Sequence, residues 1–383
     1  MMALLLLVGA CDGNREGETP EPDRPQRAAA LALTIDGEFG AIQSVAVDRA
    51  GRIYAADVIS QEIRVFSPAG DPLPSIGRKG RGPGEFTGLY DVVVARGDSL
   101  FAFDPIQQRV SVYAIRDSAA LAYTTDVSFR LGKRASYSLL VPSSGGMILQ
   151  YATPFGNHNL DAHREVVVRV LDHRGALVKD SLLVIPDREF LVTRSPQYGY
   201  SVSPLPFGRQ PVLRLGADDR LYYGWSDSLA IGIYSLHGRR VGRIGARRPA
   251  VRVDEEDLRA LSGSYEAAFV RRLLQKARDE GKIPSTRPAF KDFLVDERGA
   301  VWVNLLTQDD IQVGGDHGLR YTGAPGRARD RSLWWVFDAD GKHATTVTFP
   351  RDVTLHVIRG HDAYGVVTDD LGVQRIVRYR IPG

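Results

Sequence analysis

The stretch Ser44–Phe86, SVAVDRAGRIYAADVISQEIRVFSPAGDPLPSIGRKGRGPGEF, constrains this chain more than any other, because it holds four short strand signals in succession. Val45–Val47 is apolar and β-branched, and Asp48-Arg49-Ala50-Gly51 ends it with a glycine suited to the positive φ of a tight turn. Ile53–Ala56 forms a second strand, Ile63–Phe66 a third, and Ser67-Pro68-Ala69-Gly70 turns the chain into a fourth at Leu73–Ile76. Four strands joined by tight turns make one blade of a propeller. The same turn between first and second strands recurs at Asp48–Gly51, Ala95–Asp98, Ser143–Gly146, Ala217–Arg220, Asp296–Gly299 and Arg359–Asp362, which predicts six blades. The second and fourth copies match poorly and leave five or seven open. Turns between third and fourth strands are expected at Ser67–Gly70, Asp172–Gly175, Leu236–Arg239 and Asp338–Gly341.

The order VAVDRAGRIYAAD, IRVFSPAG, IGRKGRGPGEF resembles the repeat of NHL-type β-propellers. The segments PAFKDFLVDERGAVWV, LWWVFDADG and GVVTDDLGVQRIVRYRI between Pro288 and Ile381 resemble the end of bacterial six-bladed propeller lipoproteins. The resemblance implies an all-β, six-bladed propeller of four-stranded blades; these families share a scaffold rather than one activity, so it implies no chemistry. One domain, 28–383, is expected, and Ala28–Ile35 is a strand with no blade of its own, whose residues Leu31–Ile35 are expected to close the ring by pairing with the final strands Tyr364–Val367 and Arg375–Arg380.

Residues 1–10 are almost wholly apolar, and Val8-Gly9-Ala10-Cys11 looks like a lipobox, in which the cysteine is lipidated after cleavage. Cys11 is the single cysteine of the chain, which leaves no internal disulfide. The run lacks a preceding Lys or Arg and is short for a signal peptide; a start codon placed too late would account for both, and a cytoplasmic protein with a frayed apolar end is the alternative. Residues 11–27, rich in Gly, Pro and charge, read as a flexible tether. The expected location is the bacterial cell envelope, on the periplasmic side or the cell surface, with the membrane reached through the N-terminal lipid only.

Lys and Arg number 49 against 46 Asp and Glu, a net charge of +3 without a long run of one sign. The nearest approaches to a basic stripe are Arg78–Arg81 and Arg239–Arg248, read as solvated loop charge, so no nucleic-acid partner is expected. The long connections are Ile76–Leu89, Gln150–Arg164, Pro186–Pro211, Ala246–Pro288 and Leu305–Arg331. All of them join strand two to three or one blade to the next, so they emerge on one face and mark it as the binding face. Plugging of the channel mouth is the other use for them. Within the fourth, a helical insertion at about 253–281 is expected between blades 4 and 5, with acid at its start and Leu258, Leu261, Tyr265, Ala268, Phe269 and Leu273 as an apolar stripe broken near Ser262-Gly263-Ser264.

Large aromatic side chains and Arg in or beside these connections are the candidate partner contacts: Tyr151, His158, Tyr198, Tyr200, Trp225, Arg320 and Tyr321. Second strands tend to end in a polar group, namely Asp57, Asp104, Asp227, Asn304 and Asp369. Converging on the axis, these groups would hold Ca²⁺ and support a calcium-dependent lactonase or esterase. Facing their own turns, they would cap backbone N–H groups and pair with the Arg opening strand three, as in Asp57–Arg64, Asp104–Arg109 and Asp369–Arg375. The histidine spacings match no zinc signature and no Gly-x-Ser-x-Gly elbow occurs. The expected function is therefore a monomeric binding or scaffolding module without a cofactor, for a protein, peptide or glycan ligand, with the calcium-dependent hydrolase as the alternative.

Overall fold

The computed structural model describes residues 26–382 except 96–98, 117–120, 131–134, 153–154, 156–163, 196–198, 264–266, 316–317, 324–330 and 370. The described chain begins with β1 (Gln26–Ala28) and β2 (Ala30–Ile35). Blade 1 follows as β3 (Ile42–Val47), β4 (Ile53–Asp57), β5 (Glu62–Phe66) and β6 (Pro72–Ile76), and blade 2 as β7 (Asp91–Ala95), β8 (Ser99–Asp104), β9 (Arg109–Ala114) and β10 (Ala122–Ser128). Blade 3 is β11 (Ala135–Leu140), β12 (Met147–Ala152), β13 (Glu165–Leu171) and β14 (Leu177–Pro186), after which a hairpin, β15 (Phe190–Ser195) and β16 (Gly199–Pro204), stands apart. Blade 4 is β17 (Pro211–Leu215), β18 (Leu221–Trp225), β19 (Ala230–Tyr234) and β20 (Arg240–Gly245). Two helices, α1 (Glu255–Ser262) and α2 (Ala267–Asp279), precede β21 (Phe290–Val295) and β22 (Val301–Leu305) of blade 5. A second hairpin, β23 (Asp310–Gly315) and β24 (Gly318–Gly323), then interrupts that blade before β25 (Arg331–Phe337) and β26 (His343–Pro350) complete it. Blade 6 is β27 (Val353–Arg359), β28 (Asp362–Thr368) and β29 (Gln374–Arg380), with β2 as its outer strand. The chain is a six-bladed β-propeller.

Closure is more elaborate than one strand. β2 pairs antiparallel with β29, from Ala30 opposite Arg380 to Ile35 opposite Ile376. β1 instead pairs parallel with β26 of blade 5, and Arg331 Nη2 donates to Ala29 O at 2.9 Å where the chain crosses. The first ten described residues thus stitch blades 5 and 6 together, and strand structure begins at Gln26, inside the segment expected to be tether.

Each pair of adjacent blades shares a separate apolar core. Tyr54, Ile63 and Val65 of blade 1 meet Val92, Leu100 and Tyr113 of blade 2, and the sixth seam joins Tyr364 and Ile376 to Val45 and Ile53. Burial of both faces explains the nearly continuous apolar strands, since a blade inside a ring has no solvent face. The Asp-x-x-Gly turn repeats with its own bonding: Asp48 accepts from Arg52 N at 2.9 Å and from the Tyr54 hydroxyl at 2.8 Å, while Asp296 accepts from Ala300 N at 2.9 Å and from Trp302 Nε1 at 3.1 Å. The turn of blade 4 lacks the glycine; Asp219 adopts φ 58 in its place and caps Ser143 N of blade 3 at 2.7 Å. Short stitches like this one close the ring on the turn side, with Glu297 Oε1 accepting from Gly360 N at 2.7 Å and Arg359 Nη1 donating to Val47 O at 3.2 Å.

Candidate binding face and channel

The antiparallel meander puts the turns joining strands one to two and three to four on one side of the ring and all five long connections on the other. The three insertions that form regular structure of their own, around blades 3 to 5, pack into a common cap. Leu191 of β15 and Leu205 bury against Leu273 and Ala277 of α2, while Phe207 buries against Leu261, Val270 and Leu274. Phe207 N donates to Gln312 Oε1 of β23 at 2.8 Å, so the second hairpin joins the same unit. Asp254 caps α1, accepting from Glu256 N and Asp257 N, each at 3.0 Å. The stripe of α2 is Val270, Leu273, Leu274 and Ala277, while Phe269, expected within it, is 42% exposed. The break between the helices resets the helical phase, and periodicity read across the break misplaces the second helix. The cap packs chiefly on its neighbouring insertions rather than on a blade.

A buried ion pair fastens the cap. Arg287 Nη2 and Nε meet Asp257 Oδ1 and Oδ2 at 2.6 and 3.0 Å, and Arg287 Nη1 donates to Thr307 O at 2.8 Å and to Asp310 O. Asp310, 2% exposed, in turn accepts from Thr307 N at 2.8 Å, Lys291 Nζ at 3.2 Å and Arg351 Nη1. The pairing of every charge here is what makes its burial tolerable.

Blades 6, 1 and 2 lie outside the cap and present a different surface. Ile59, Ile106 and Leu371, one from each two-to-three turn, are 69%, 73% and 90% exposed. Ile59 and Ile106 lie over Gly40 and Gly88, where a Cβ would come within 2.5 and 2.3 Å of them. Equivalent positions on three consecutive blades therefore raise aliphatic tips on the face that carries the insertions.

The axial channel, about 940 Å³, is walled by all six first strands. Charged side chains interrupt otherwise apolar segments there: Asp91 starts β7, Arg214 stands in PVLRL, Asp292 in FKDFLV and His356 in VTLHVIR. Arg214 Nη2 contacts both carboxylate oxygens of Asp292 at 2.7 Å, and its Nε donates to Phe293 O at 3.1 Å, tying blade 4 to blade 5. Burial pushes the Asp91 carboxyl up to about 6, against the opposing pull of Ser44, the Val92 N–H and Arg214. Burial lowers His356 to about 4, and the Arg214 charge adds to that. Lys291 is held below its usual range by burial, with Asp310 pulling the other way. Tyr90, Arg188 and Gln210 line the channel toward the insertion face. Sequence spacing assigns no role to any of these residues, and His356, weighed with His361 as a loop pair, stands in β27. The available signal was a charge inside an apolar first strand, which signals a lined channel only once the ring is known.

The positions expected to matter distribute as follows. Tyr151 belongs to β12, not to the connection after it; it is 1% exposed in the core between blades 2 and 3, with the Arg169 guanidinium 5.0 Å over its ring. That removes it from the insertion face. Tyr200 lies on β16 and donates to Phe155 O at 2.9 Å, and Trp225 is a partly buried member of β18 opposite Pro211. Arg320 and Tyr321 lie on β24, opposite Val313 and Gln312. His158, Tyr198 and Cys11 lie outside the described residues.

The second-strand polar groups do not form a common ring. Asp57, fully buried, accepts from Gly40 N at 2.8 Å and from Ala41 N and Ile59 N at 3.1 Å; burial alone would raise its carboxyl, and these N–H groups outweigh it and hold it low. Asp104 accepts from Thr87 N at 2.8 Å and Gln107 N at 2.9 Å. Asp369 accepts from Val373 N at 2.9 Å and pairs with Arg375 at 3.0 Å, as expected. Asp57–Arg64 and Asp104–Arg109 do not pair: Arg64 reaches Glu62 at 3.6 Å, and Arg109 reaches Asp126 at 3.0 Å, because both carboxylates are already saturated by loop N–H groups. Asp227 accepts from the neighbouring Ser228 hydroxyl at 2.8 Å, and Asn304 is 9% exposed between Asp292 and Trp334 in its sheet. Among the described residues no group of three or more His, Cys, Asp or Glu is arranged to hold a metal ion. No described helix is long and apolar enough to cross a membrane.

Comparison with known proteins agrees with this architecture. Residues 31–136, the closing strand and blades 1 and 2, match the model of a family described as a 6-bladed β-propeller. A member of the DUF4221 family from Bacteroides vulgatus superposes with a TM-score of 0.52 at 10% identity, covering 93% of this chain and 98% of that one. A Bacteroides fragilis protein described as exported superposes at 0.50 with 13% identity, covering 93% and 94%. A gluconolactonase from Xanthomonas campestris reaches 0.44 at 11% identity over 92% and 95%, too distant to bear on chemistry. By sequence, no curated protein matches the chain.

Proposed function

We propose that the protein is a lipid-anchored module of the bacterial cell envelope that binds a protein, peptide or glycan partner through the face carrying the insertions. The carrying observation is the asymmetry of that face: a cap over blades 3 to 5 beside an uncapped sector where Ile59, Ile106 and Leu371 stand exposed. Exposed aliphatic side chains grouped on one functional face favour a partner surface over a purely solvated rim. The Val8–Cys11 motif and the polar segment after it support the anchor. The carboxylates named for the hydrolase alternative favour the module reading, since Asp57, Asp104 and Asp369 accept from backbone N–H groups of nearby connections.

The test compares the full chain with an Ile59→Ser/Ile106→Ser/Leu371→Ser variant for binding to fractionated envelope proteins and glycans by interferometry, alongside Ca²⁺ calorimetry. Saturable binding lost in the triple variant, with no heat from Ca²⁺, supports the module. Equal binding by both chains, or a Ca²⁺ site lost in Asp57→Asn and Asp104→Asn, rejects it.

A further inference from the structure

A groove lies at the outer seam between blades 2 and 3. It encloses about 370 Å³ between Ser128 and Arg130 at the end of blade 2 and the three-to-four turn of blade 3. Three arginines, Arg130, Arg169 and Arg174, line it together with Tyr151, and among the described residues no carboxylate does. The seam is close because Gly175, at φ +83, sits where a Cβ would lie 2.1 Å from Ser128 O. That approach brings the turn that carries Arg174 up to the end of β10, beside Arg130.

The three guanidinium groups are not equally committed. Arg169 is already engaged: its Nε donates to Asp180 O at 3.2 Å, its Nη2 pairs with the Asp180 carboxylate, and its guanidinium lies over Tyr151. Arg130 and Arg174 are exposed, and among the described residues neither guanidinium forms a close ion pair, although the Arg174 charge acts on the Asp172 carboxylate beside it. Asp172, in the same turn as Arg174, directs its carboxylate at the Arg174 and Ala176 N–H groups, at 2.8 and 2.9 Å. Leu177, at the edge of the groove, is 53% exposed, and Val178, next to it in the chain, is 66% exposed. A cationic floor beside an aliphatic lip fits a ligand with both characters.

We propose that this groove binds an amphiphilic phosphate, its oxygens held by Arg130 and Arg174 with Arg169 behind them, and its apolar part lying along Leu177 and Val178. Arginine suits this role because its planar fork presents paired N–H donors to tetrahedral oxyanions. The site is independent of the insertion face, and its test does not depend on that reading. The chemistry is shared by the headgroup of an anionic phospholipid and by a soluble organic phosphate.

The experiment uses the full chain with Cys11→Ser, so that no lipid anchor confounds it. Inorganic phosphate and short-chain phosphatidic acid below its self-association concentration are titrated calorimetrically at fixed ionic strength. The titrations are repeated in an Arg130→Gln/Arg174→Gln variant and a Leu177→Ser/Val178→Ser variant. Saturable binding is expected, weakened about tenfold or more for both probes by the arginine pair, and weakened for phosphatidic acid alone by the apolar pair. All four side chains are exposed, so an unchanged melting temperature in chloride will verify the fold of each variant. Phosphatidylglycerol and phosphatidylcholine vesicles separate the sources: arginine-dependent binding to the anionic vesicles assigns the site to a membrane lipid, and its absence alongside intact soluble binding assigns it to a soluble phosphate. Failure of both soluble probes to bind saturably, or binding unchanged in the arginine variant, overturns the proposal.

Discussion

Replacing Arg287 by methionine will release the cap. Its guanidinium is 3% exposed and its partner Asp257 is fully buried, so the variant leaves a carboxylate in the interior with, among the described residues, the Asp254 N–H as its remaining donor. Such a group does not stay charged at any cost, because it can take up a proton. From an ordinary value of 3.8, protonation at pH 7 costs about 4 kcal/mol, which bounds the electrostatic part of the penalty. Loss of the bonds to Thr307 O and Asp310 O acts in the same direction, so a total loss of about 3–5 kcal/mol is expected. Undocking of the cap can limit that loss, since a local opening with a smaller free energy occurs first. Hydrogen exchange resolves the two: α1 and α2 should lose protection while the blades keep theirs. Burial already raises Asp257, and removal of Arg287 raises it further. A group whose folded value is raised contributes stability below its unfolded value and loses it as pH rises, so the deficit of the variant relative to the native chain should shrink from pH 7 toward pH 4. A double variant, Asp257→Leu/Arg287→Met, should recover much of the loss. Unchanged exchange in α1 and α2, or a deficit independent of pH, would refute the reasoning.

Four other outcomes follow from the channel, the turns and the closure. His356, lowered from 6.5 to about 4, withholds no stability above pH 6.5 and loses up to about 3 kcal/mol as pH falls to 4, so His356→Gln should flatten the acid side of a urea-unfolding profile. Asp91, raised from 3.8 to about 6, has the opposite sign, its contribution being present below 3.8 and lost by pH 6, so Asp91→Asn should stabilise the protein at pH 7.5 and not at pH 3.5. Gly175→Ala should lower the melting temperature more than Gly145→Ala; both have φ near +90, but only the first drives its Cβ to 2.1 Å from a backbone oxygen. Ile35→Ala, at a residue 4% exposed in the closing seam, should cost about 2–5 kcal/mol in denaturant unfolding, whereas Leu31→Ala, at 57% exposure, should cost under about 0.5 kcal/mol.

The ring was legible in the sequence because blade turns are local. Asp48–Gly51 and Asp296–Gly299 announce themselves by an acid that caps the turn and a glycine that permits it, and the face of the insertions follows from strand parity alone. Blade 4 matched poorly because Asp219 replaces the glycine at φ 58, a substitution compensated by its bonds to Ser143 in the neighbouring blade 3, which no window of sequence contains. The same limit hid the channel. Asp292 and Arg214 are far apart in the chain and adjacent in space, and the fate of Arg64 and Arg109 was decided by loops that had already filled the carboxylates meant for them. The phase of α2 was lost at a break between helices, where periodicity carries no memory.

The central claim is that one face of the ring takes the partner, and site-specific photo-crosslinking in the native host tests it most directly. A photoreactive residue is placed at Ile59, Ile106 or Leu371 on the insertion face and at Ala339 or Arg49 in the opposite turns. The account predicts discrete adducts from the first three positions and none from the other two. Adducts confined to the turn face, or the same adducts from both faces, would contradict it.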